Sequence, residues 1–173
     1  MPPNKDIHGL TRDRLIALVT DLGKRWLALD GLWFQAIEKE FGMDKAMSTD
    51  RTVWQSFSAL EAKRIKEFLD LPEQGGLDGL ELALQFRLYS FINEQEIISQ
   101  SENQFLLRMK ACRVQTARKR KDMELFPCKS IGVIEYSVFA ETIDSRISTR
   151  CISCPPDETD NDCFCAWEFT LNT

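Results

Sequence analysis

Six cysteines are the residues of this chain best suited to do chemistry, and four of them lie within fifteen residues, from Cys151 to Cys165. Cys151 and Cys154 are separated by two residues, as C-x-x-C, a spacing that lets two thiolates bind one metal ion from a tight turn. Thiolate ligands favour zinc, or iron in a cluster. We therefore expect a metal site, with zinc as the first choice. Its expected ligands are Cys112, Cys128, Cys151 and Cys154, with Cys165 as a substitute.

Two other interpretations of the cysteines stay open. Free cysteine is among the most buried residue types, so the thiols could be ordinary core side chains, above all Cys163 and Cys165. A zinc ribbon carries two C-x-x-C pairs, whereas this chain has one. A thioredoxin-like role for Cys151 and Cys154 is less favoured, because two prolines follow the pair where that motif needs a helix.

The other polar residues offer few catalytic groups. His8 is the single histidine, which argues against histidine-based nucleophilic and metal sites. Glu135 and Tyr136 occur in an otherwise apolar predicted helix, where a carboxylate could be a buried general acid or base with a raised pKa. Glu135 could equally face water. We take Glu135 and Tyr136 as the catalytic candidates.

Three further residues are candidates for ligand binding. Trp33 and Glu61 lie on predicted helices whose acidic residues could flank a cavity. Arg113 follows Cys112 at a predicted strand end and could pair with a carboxylate of the protein or of a ligand. An exposed surface position is the alternative for Arg113.

Composition restricts the classes of partner. The net charge is −5 and the pI is about 5.0, which argues against a nucleic-acid-binding protein. No apolar run is long enough to cross a membrane, and the first residues lack the layout of a signal peptide. We expect a cytoplasmic protein, able to form a homodimer, whose thiols stay reduced.

The hydrophobic pattern changes near residue 94. Residues 1–9 are expected to be a flexible leader and residues 10–173 a single domain, helical over 10–93. Three helices are predicted in that half: Thr11 to Phe41-Gly42 with an interruption at Asp30-Gly31, Asp44 or Thr49 to Leu71, and Leu77 to about Ile92.

Residues 94–173 are predicted to form a hairpin, a helix and a second hairpin. The first hairpin turns at residues 101–103, and a short exposed helix follows it. A core helix begins after Pro127, and an acidic loop joins the last two strands, at 146–153 and 163–171. The core helix is expected to face inward with Ile131, Ile134, Val138 and Ile143. This order predicts an α+β fold in which N-terminal helices pack on a C-terminal antiparallel sheet.

Several segments carry a resemblance to a known family: "ALDGLWFQAIEKEFGMD", "CRVQTARKRK", "FPCKSIGVIEYSVFA" and "TRCISCPPD" with "CAWEFTL". The chain resembles uncharacterised cytosolic proteins of anaerobic bacteria and archaea related to L-2-amino-thiazoline-4-carboxylic acid hydrolase. More faintly, its second half is similar to the ligand-binding fold of vinyl-reductase, haem–nitric-oxide-binding and Golgi-transport proteins. The resemblance implies a pocket between helices and sheet that holds a small molecule, and a cysteine-lined site.

Three hypotheses follow. The first is a small-molecule-binding protein with a cysteine-ligated zinc ion. The second is a hydrolase that opens C–N bonds in a small cyclic amino-acid-like substrate, with Glu135 or Tyr136 moving protons. The third is a partner-binding or assembly module, which predicts a large exposed apolar patch and no closed cavity.

Overall fold

The computed structural model of the chain describes residues 7–158 and 162–173. Within them lie five α-helices, two 3-10 helices and one four-stranded sheet. The α-helices are α1 (Arg12–Phe41), α2 (Met43–Phe68), α3 (Gly76–Leu84), α4 (Arg113–Lys119) and α5 (Lys129–Ile143). The strands are β1 (Glu94–Ser101), β2 (Gln104–Ala111), β3 (Ile147–Ser153) and β4 (Cys165–Leu171), in the order β1-β2-β4-β3. All three strand pairs are antiparallel, which confirms the α+β prediction.

The main core lies between one face of the sheet and helices α2, α3 and α5. Alternation along β2 buries Phe105, Leu107 and Met109, as the sequence predicts. From β4, Trp167 and Phe169 join the same core. Helix α5 packs against both α2 and β3, so it is the central helix of the molecule.

The first helix differs from the prediction in its middle, at Asp30-Gly31. Helix α1 begins after the predicted cap Thr11 and runs unbroken through Asp30 and Gly31. A single glycine costs a helix interior only about 1 kcal/mol, and the long helix tolerates that cost. The helix ends at Phe41, before Gly42, as predicted, and the φ of 85° at Gly42 favours glycine.

The third predicted helix is wrong beyond Leu84. There the chain turns, and a 3-10 helix covers Leu88–Phe91. The backbone N–H of Leu88 donates to the Glu61 carboxylate at 2.8 Å, which holds the turn against α2. This turn brings Arg87 into the interior.

The buried face of α5 also differs from the prediction. Ile131 and Ile143 are buried as expected, but Ile134 and Val138 are only partly buried. The remaining buried positions are Gly132, Glu135, Tyr136, Phe139 and Ala140. Two polar residues therefore take core positions in this helix.

Two predicted segments fall partly outside the described residues. Of the leader at 1–9, only Ile7–Gly9 is described, as a short 3-10 helix. Of the acidic loop, residues 159–161 are not described, whereas Asp162 pairs with Arg108 and Lys110. Strand β4 begins at Cys165, so the buried Cys163 precedes the strand in which it was predicted to lie.

Candidate functional site

A cavity of about 450 Å³ lies between the helices and the sheet. Helices α1, α2, α4 and α5 form most of its wall, and residues of β2 and β4, with Cys154 after β3, close the rest. This volume is in the range of small-molecule sites, which are concave and mostly apolar with a few polar groups. The polar groups here include carboxylates and thiols. Five basic side chains also line the cavity: Lys24, Arg113, Arg118, Arg120 and Lys121.

Three carboxylates line the cavity: Asp30 of α1, Asp50 of α2 and Glu135 of α5. Burial raises the pKa of Asp30. The pKa of Asp50 rises from 3.8 to about 7, because Asp50 is buried and lies near the charges of Asp30 and Glu135. Among the described residues, no lysine or arginine nitrogen lies within 4.0 Å of Asp30 or Asp50. These two carboxylates therefore have no basic partner, although the side chain of Trp54 hydrogen-bonds to Asp50.

Glu135 has a basic partner, Arg87, which donates a hydrogen bond to its carboxylate. Arg87 also lies 3.4 Å from Glu61, so one guanidinium bridges carboxylates from α2 and α5. Burial raises the pKa of Glu135, and the charge of Arg87 opposes that rise. The Arg87 guanidinium further covers the rings of Tyr136 and Phe139, at 4.8 and 5.1 Å from their centroids. Such contacts stabilise a desolvated cation.

Aromatic side chains form the apolar part of the wall. Tyr89 stacks on Trp54 with ring centroids 5.7 Å apart, and Trp26 packs edge-on against Tyr89 at 5.1 Å. From the sheet side, Trp167 packs on Tyr136 at 4.7 Å. The indole N–H of Trp167 is buried and has no hydrogen-bond partner within the described residues.

The thiol side of the cavity is centred on Cys128 and Cys154. Their sulfur atoms are 3.5 Å apart. Cys128 immediately precedes α5, while Cys154 follows β3 and is almost fully buried. The hydrogen bond from Cys154 is the main cause that lowers the pKa of Cys128, and the same contact raises the pKa of Cys154. The pair thus favours one thiolate, on Cys128, and one thiol.

Gln115 of α4 supports this arrangement. Its side chain is buried, and its amide nitrogen donates to the Phe126 carbonyl at 2.9 Å and to the Cys128 sulfur at 3.4 Å. Its amide oxygen accepts from the Phe126 N–H at 2.9 Å. Gln115 therefore fixes the segment that leads into Cys128. The short helix was predicted to be exposed, but Gln115 is buried and further residues of the helix, such as Arg113, line the cavity.

The other thiols divide into two groups. Cys112 and Cys165 line the same cavity as Cys128 and Cys154, and burial raises the pKa of Cys112 to about 12. Cys151, a partly buried residue of β3, packs against the main core and is not part of the cavity wall. Cys163 is buried apart from that wall. Of the predicted ligand set, Cys165 thus takes the place expected of Cys151.

All six cysteines are free. In the described part of the chain, no group of three or more histidine, cysteine, aspartate or glutamate side chains is arranged to hold a metal ion. The zinc site therefore stays a prediction.

The predicted ligand-binding residues have three different positions. Trp33 is 66% exposed and lies outside the cavity, because it faces away on the outer side of α1. Glu61 is buried and accepts from Arg87 and Leu88 behind the wall. Arg113 lines the cavity, and no carboxylate of the described chain lies within 4.0 Å of its guanidinium. Sequence reasoning did not identify Arg87, Asp50 or Gln115.

The exposed apolar surface expected of a partner-binding module is also present. Helix α1 exposes a row of large apolar side chains: Leu15, Ile16, Val19, Leu22, Leu29, Leu32 and Trp33. The same hypothesis predicts no closed cavity, and the cavity of about 450 Å³ is partly open to solvent, so the partner-binding hypothesis stays a prediction. No helix within the described ranges is long and apolar enough to cross a membrane.

One protein family matches this chain. The family model described as "Family of unknown function (DUF6125)" covers residues 8–171. The chain belongs to this family. Its match extends over all the elements that build the cavity, from α1 to β4. No curated protein matches the chain.

Proposed function

We propose that this member of the DUF6125 family binds a small organic molecule that carries a cationic amine. One observation supports the proposal above all: Asp30 and Asp50 face a cavity of about 450 Å³ without a basic partner in the described chain. Taking a carboxylate out of water is costly unless it is paired. A bound ammonium group would remove that cost, and the cavity would then bind cations in preference to neutral analogues.

The aromatic wall suits the rest of such a molecule. Tyr89 and Trp54 lie beside Asp50 and offer flat apolar faces. Aromatic faces attract cations as well as apolar groups. Arg113 lines the same cavity and can pair with a carboxylate of the ligand, so the ligands can include zwitterions such as amino acids.

A matched set of three indole compounds tests the proposal: tryptamine as the cation, tryptophan as the zwitterion and indole-3-propionate as the anion. Calorimetry at pH 8 should give binding for tryptamine or tryptophan and none for indole-3-propionate. Asp50→Asn and Asp30→Asn should each weaken binding at least about tenfold, equivalent to about 1.4 kcal/mol. Asp44→Asn, an exposed change on α2, is the control and should leave binding unchanged. Binding of the anion with equal strength would contradict the proposal.

A hydrolase for a small cyclic amino-acid-like substrate is the second candidate, and the geometry favours Asp50 over Glu135 as its proton carrier. Glu135 is held by Arg87, whereas Asp50 has no basic partner and has a pKa of about 7. A general acid or base works best when its pKa is near the working pH. Turnover of an aminothiazoline carboxylate that is lost in Asp50→Asn and kept in Glu135→Gln would support this function.

We further propose a cytoplasmic location. The six free cysteines support it, because thiols remain reduced in that compartment. Fluorescence microscopy of the tagged chain in a bacterial cell tests it, and signal at the cell envelope would contradict it.

A further inference from the structure

The cavity wall contains two thiols that lie close together and have no role in the proposed binding function. The Cys128 and Cys154 sulfurs are 3.5 Å apart, and both residues line the cavity. A disulfide bond is about 2.05 Å long, so a shift of roughly 1.5 Å would join them. Cys128 lies on the segment before α5, and Cys154 lies on the segment after β3. Segments outside regular elements can make such a shift more easily than helix or strand interiors.

We propose that Cys128 and Cys154 form a redox-active dithiol, which small-molecule disulfides entering the cavity oxidise to an internal disulfide. Cys128 is the attacking residue. It is the more accessible of the two, its sulfur accepts a hydrogen bond from the Gln115 amide, and the Cys154 sulfur lies 3.5 Å away. Hydrogen bonds to a sulfur stabilise its thiolate, which is the nucleophile in thiol–disulfide exchange. Cys154 is almost fully buried, so it reacts only after Cys128.

The exchange takes two steps. The Cys128 thiolate attacks one sulfur of the disulfide RSSR, the S–S bond breaks, and RS⁻ leaves as Cys128 forms a mixed disulfide with R. Cys154 then loses its proton and attacks the Cys128 sulfur, and the second RS⁻ leaves. In total, the two cysteines lose two electrons and two protons, and RSSR is reduced to two RSH. A dithiol such as dithiothreitol reverses the reaction.

Two surrounding features favour this pair over the other thiols. Cys112 lines the same cavity, but burial keeps it protonated. Cys151 and Cys163 lie off the wall, where a molecule inside the cavity cannot reach them. The second sulfur within reach of Cys154 is that of Cys165, which makes Cys165 the competing partner.

The probe for the test is bis(2-hydroxyethyl) disulfide, which is small and uncharged and so does not depend on cation binding. Reduced full-length protein is mixed with the probe, quenched by acid at intervals and mapped by mass spectrometry of its peptides. The expected product is a Cys128–Cys154 cross-link with two thiols released per chain. This readout uses the unmodified chain, so it does not depend on whether any variant folds.

Variants then assign the steps. Cys154→Ser should stop at a mixed disulfide on Cys128. Cys128→Ser should slow reaction at the pair at least about tenfold, since the remaining sulfur is buried. Cys163→Ser, a buried thiol off the cavity wall, is the matched control and should react like the unmodified protein. A lasting mixed disulfide in the unmodified chain, or a cross-link that involves other cysteines, would overturn the proposal. A bound zinc ion would also overturn the proposal. The decisive result would be one zinc ion per chain in protein purified without chelator, together with thiols that react only after the zinc is removed.

Discussion

Arg87 and Glu135 form an ion pair in the interior, with both side chains almost fully buried. They come from segments 48 residues apart in sequence, and Glu61 of α2 completes the network at 3.4 Å from Arg87. Replacing all the members of such a buried network by apolar residues changes the free energy of unfolding little. Removing one member alone is costly, because it leaves an uncompensated buried charge. The network therefore joins α2, α5 and the turn after α3 next to the cavity.

Arg87→Met should destabilise the protein by about 3–5 kcal/mol, because Glu61 and Glu135 would be left buried without their cation. Urea unfolding at pH 7.5 measures the change. Arg25→Met is the control: Arg25 pairs with Asp21, and both side chains are exposed, at 64% and 52%, so the loss should be below about 1 kcal/mol. Equal losses in both variants would show that the interior pair has no special role.

Asp50 should make stability depend on pH. Its pKa is about 7 in the folded protein and 3.8 when exposed, so between these values the folded state binds the extra proton. Stability contributed by that proton is present near pH 4 and is lost as pH rises to about 7. Asp50→Asn should stabilise the protein at pH 8 by about 1–2 kcal/mol, less than the full shift because water still reaches Asp50. Thermal unfolding from pH 5 to 8 tests this: parallel curves for the two proteins would contradict it.

Gly132 should not tolerate a side chain. A Cβ at this position would lie 2.6 Å from Cζ2 of Trp167, and α5 and β4 hold both residues in place. Gly132→Ala should destabilise the protein by about 1–3 kcal/mol and shift the tryptophan fluorescence. Gly31→Ala is the matched control, since its nearest neighbour is the end of Gln35 at 3.8 Å. That variant should be neutral or more stable by up to about 1 kcal/mol, as alanine is the better helix former.

Gln115→Ala should loosen the segment before α5. The change leaves the N–H and the carbonyl of Phe126 without their partner, so we expect a loss of about 2–3 kcal/mol. It also removes a hydrogen bond that lowers the pKa of Cys128, so that pKa should rise and alkylation of Cys128 at pH 7 should slow. Thr116→Ala, at an exposed position on the same helix, is the control for both measurements. An unchanged rate at Cys128 would remove Gln115 from the thiol site.

The sequence by itself determined the class of fold. Alternation of apolar residues predicts β2 and its turn, and the helical spacing after Thr11 predicts α1, because these periods reflect local geometry and burial on one face. It also indicated that Cys165 follows the C-x-x-C pair on the next strand, as it does. Such features depend on neighbours close in the chain.

Only the tertiary structure decided the site. The spacing of Cys151 and Cys154 favours them as partners, but alternation in β3 turns Cys151 to the core, and Cys128, from another segment, meets Cys154 instead. The sequence predicts Arg87 as a polar residue within an apolar helix. In the structure, the chain turns at Leu88, and Arg87 lies between Glu61 and Glu135. Nothing in the sequence around Asp50 indicates an unusual pKa. Its pKa of about 7 arises from burial and from the nearby charges of Asp30 and Glu135. Burial and pairing between distant segments set these properties, and no local pattern encodes them.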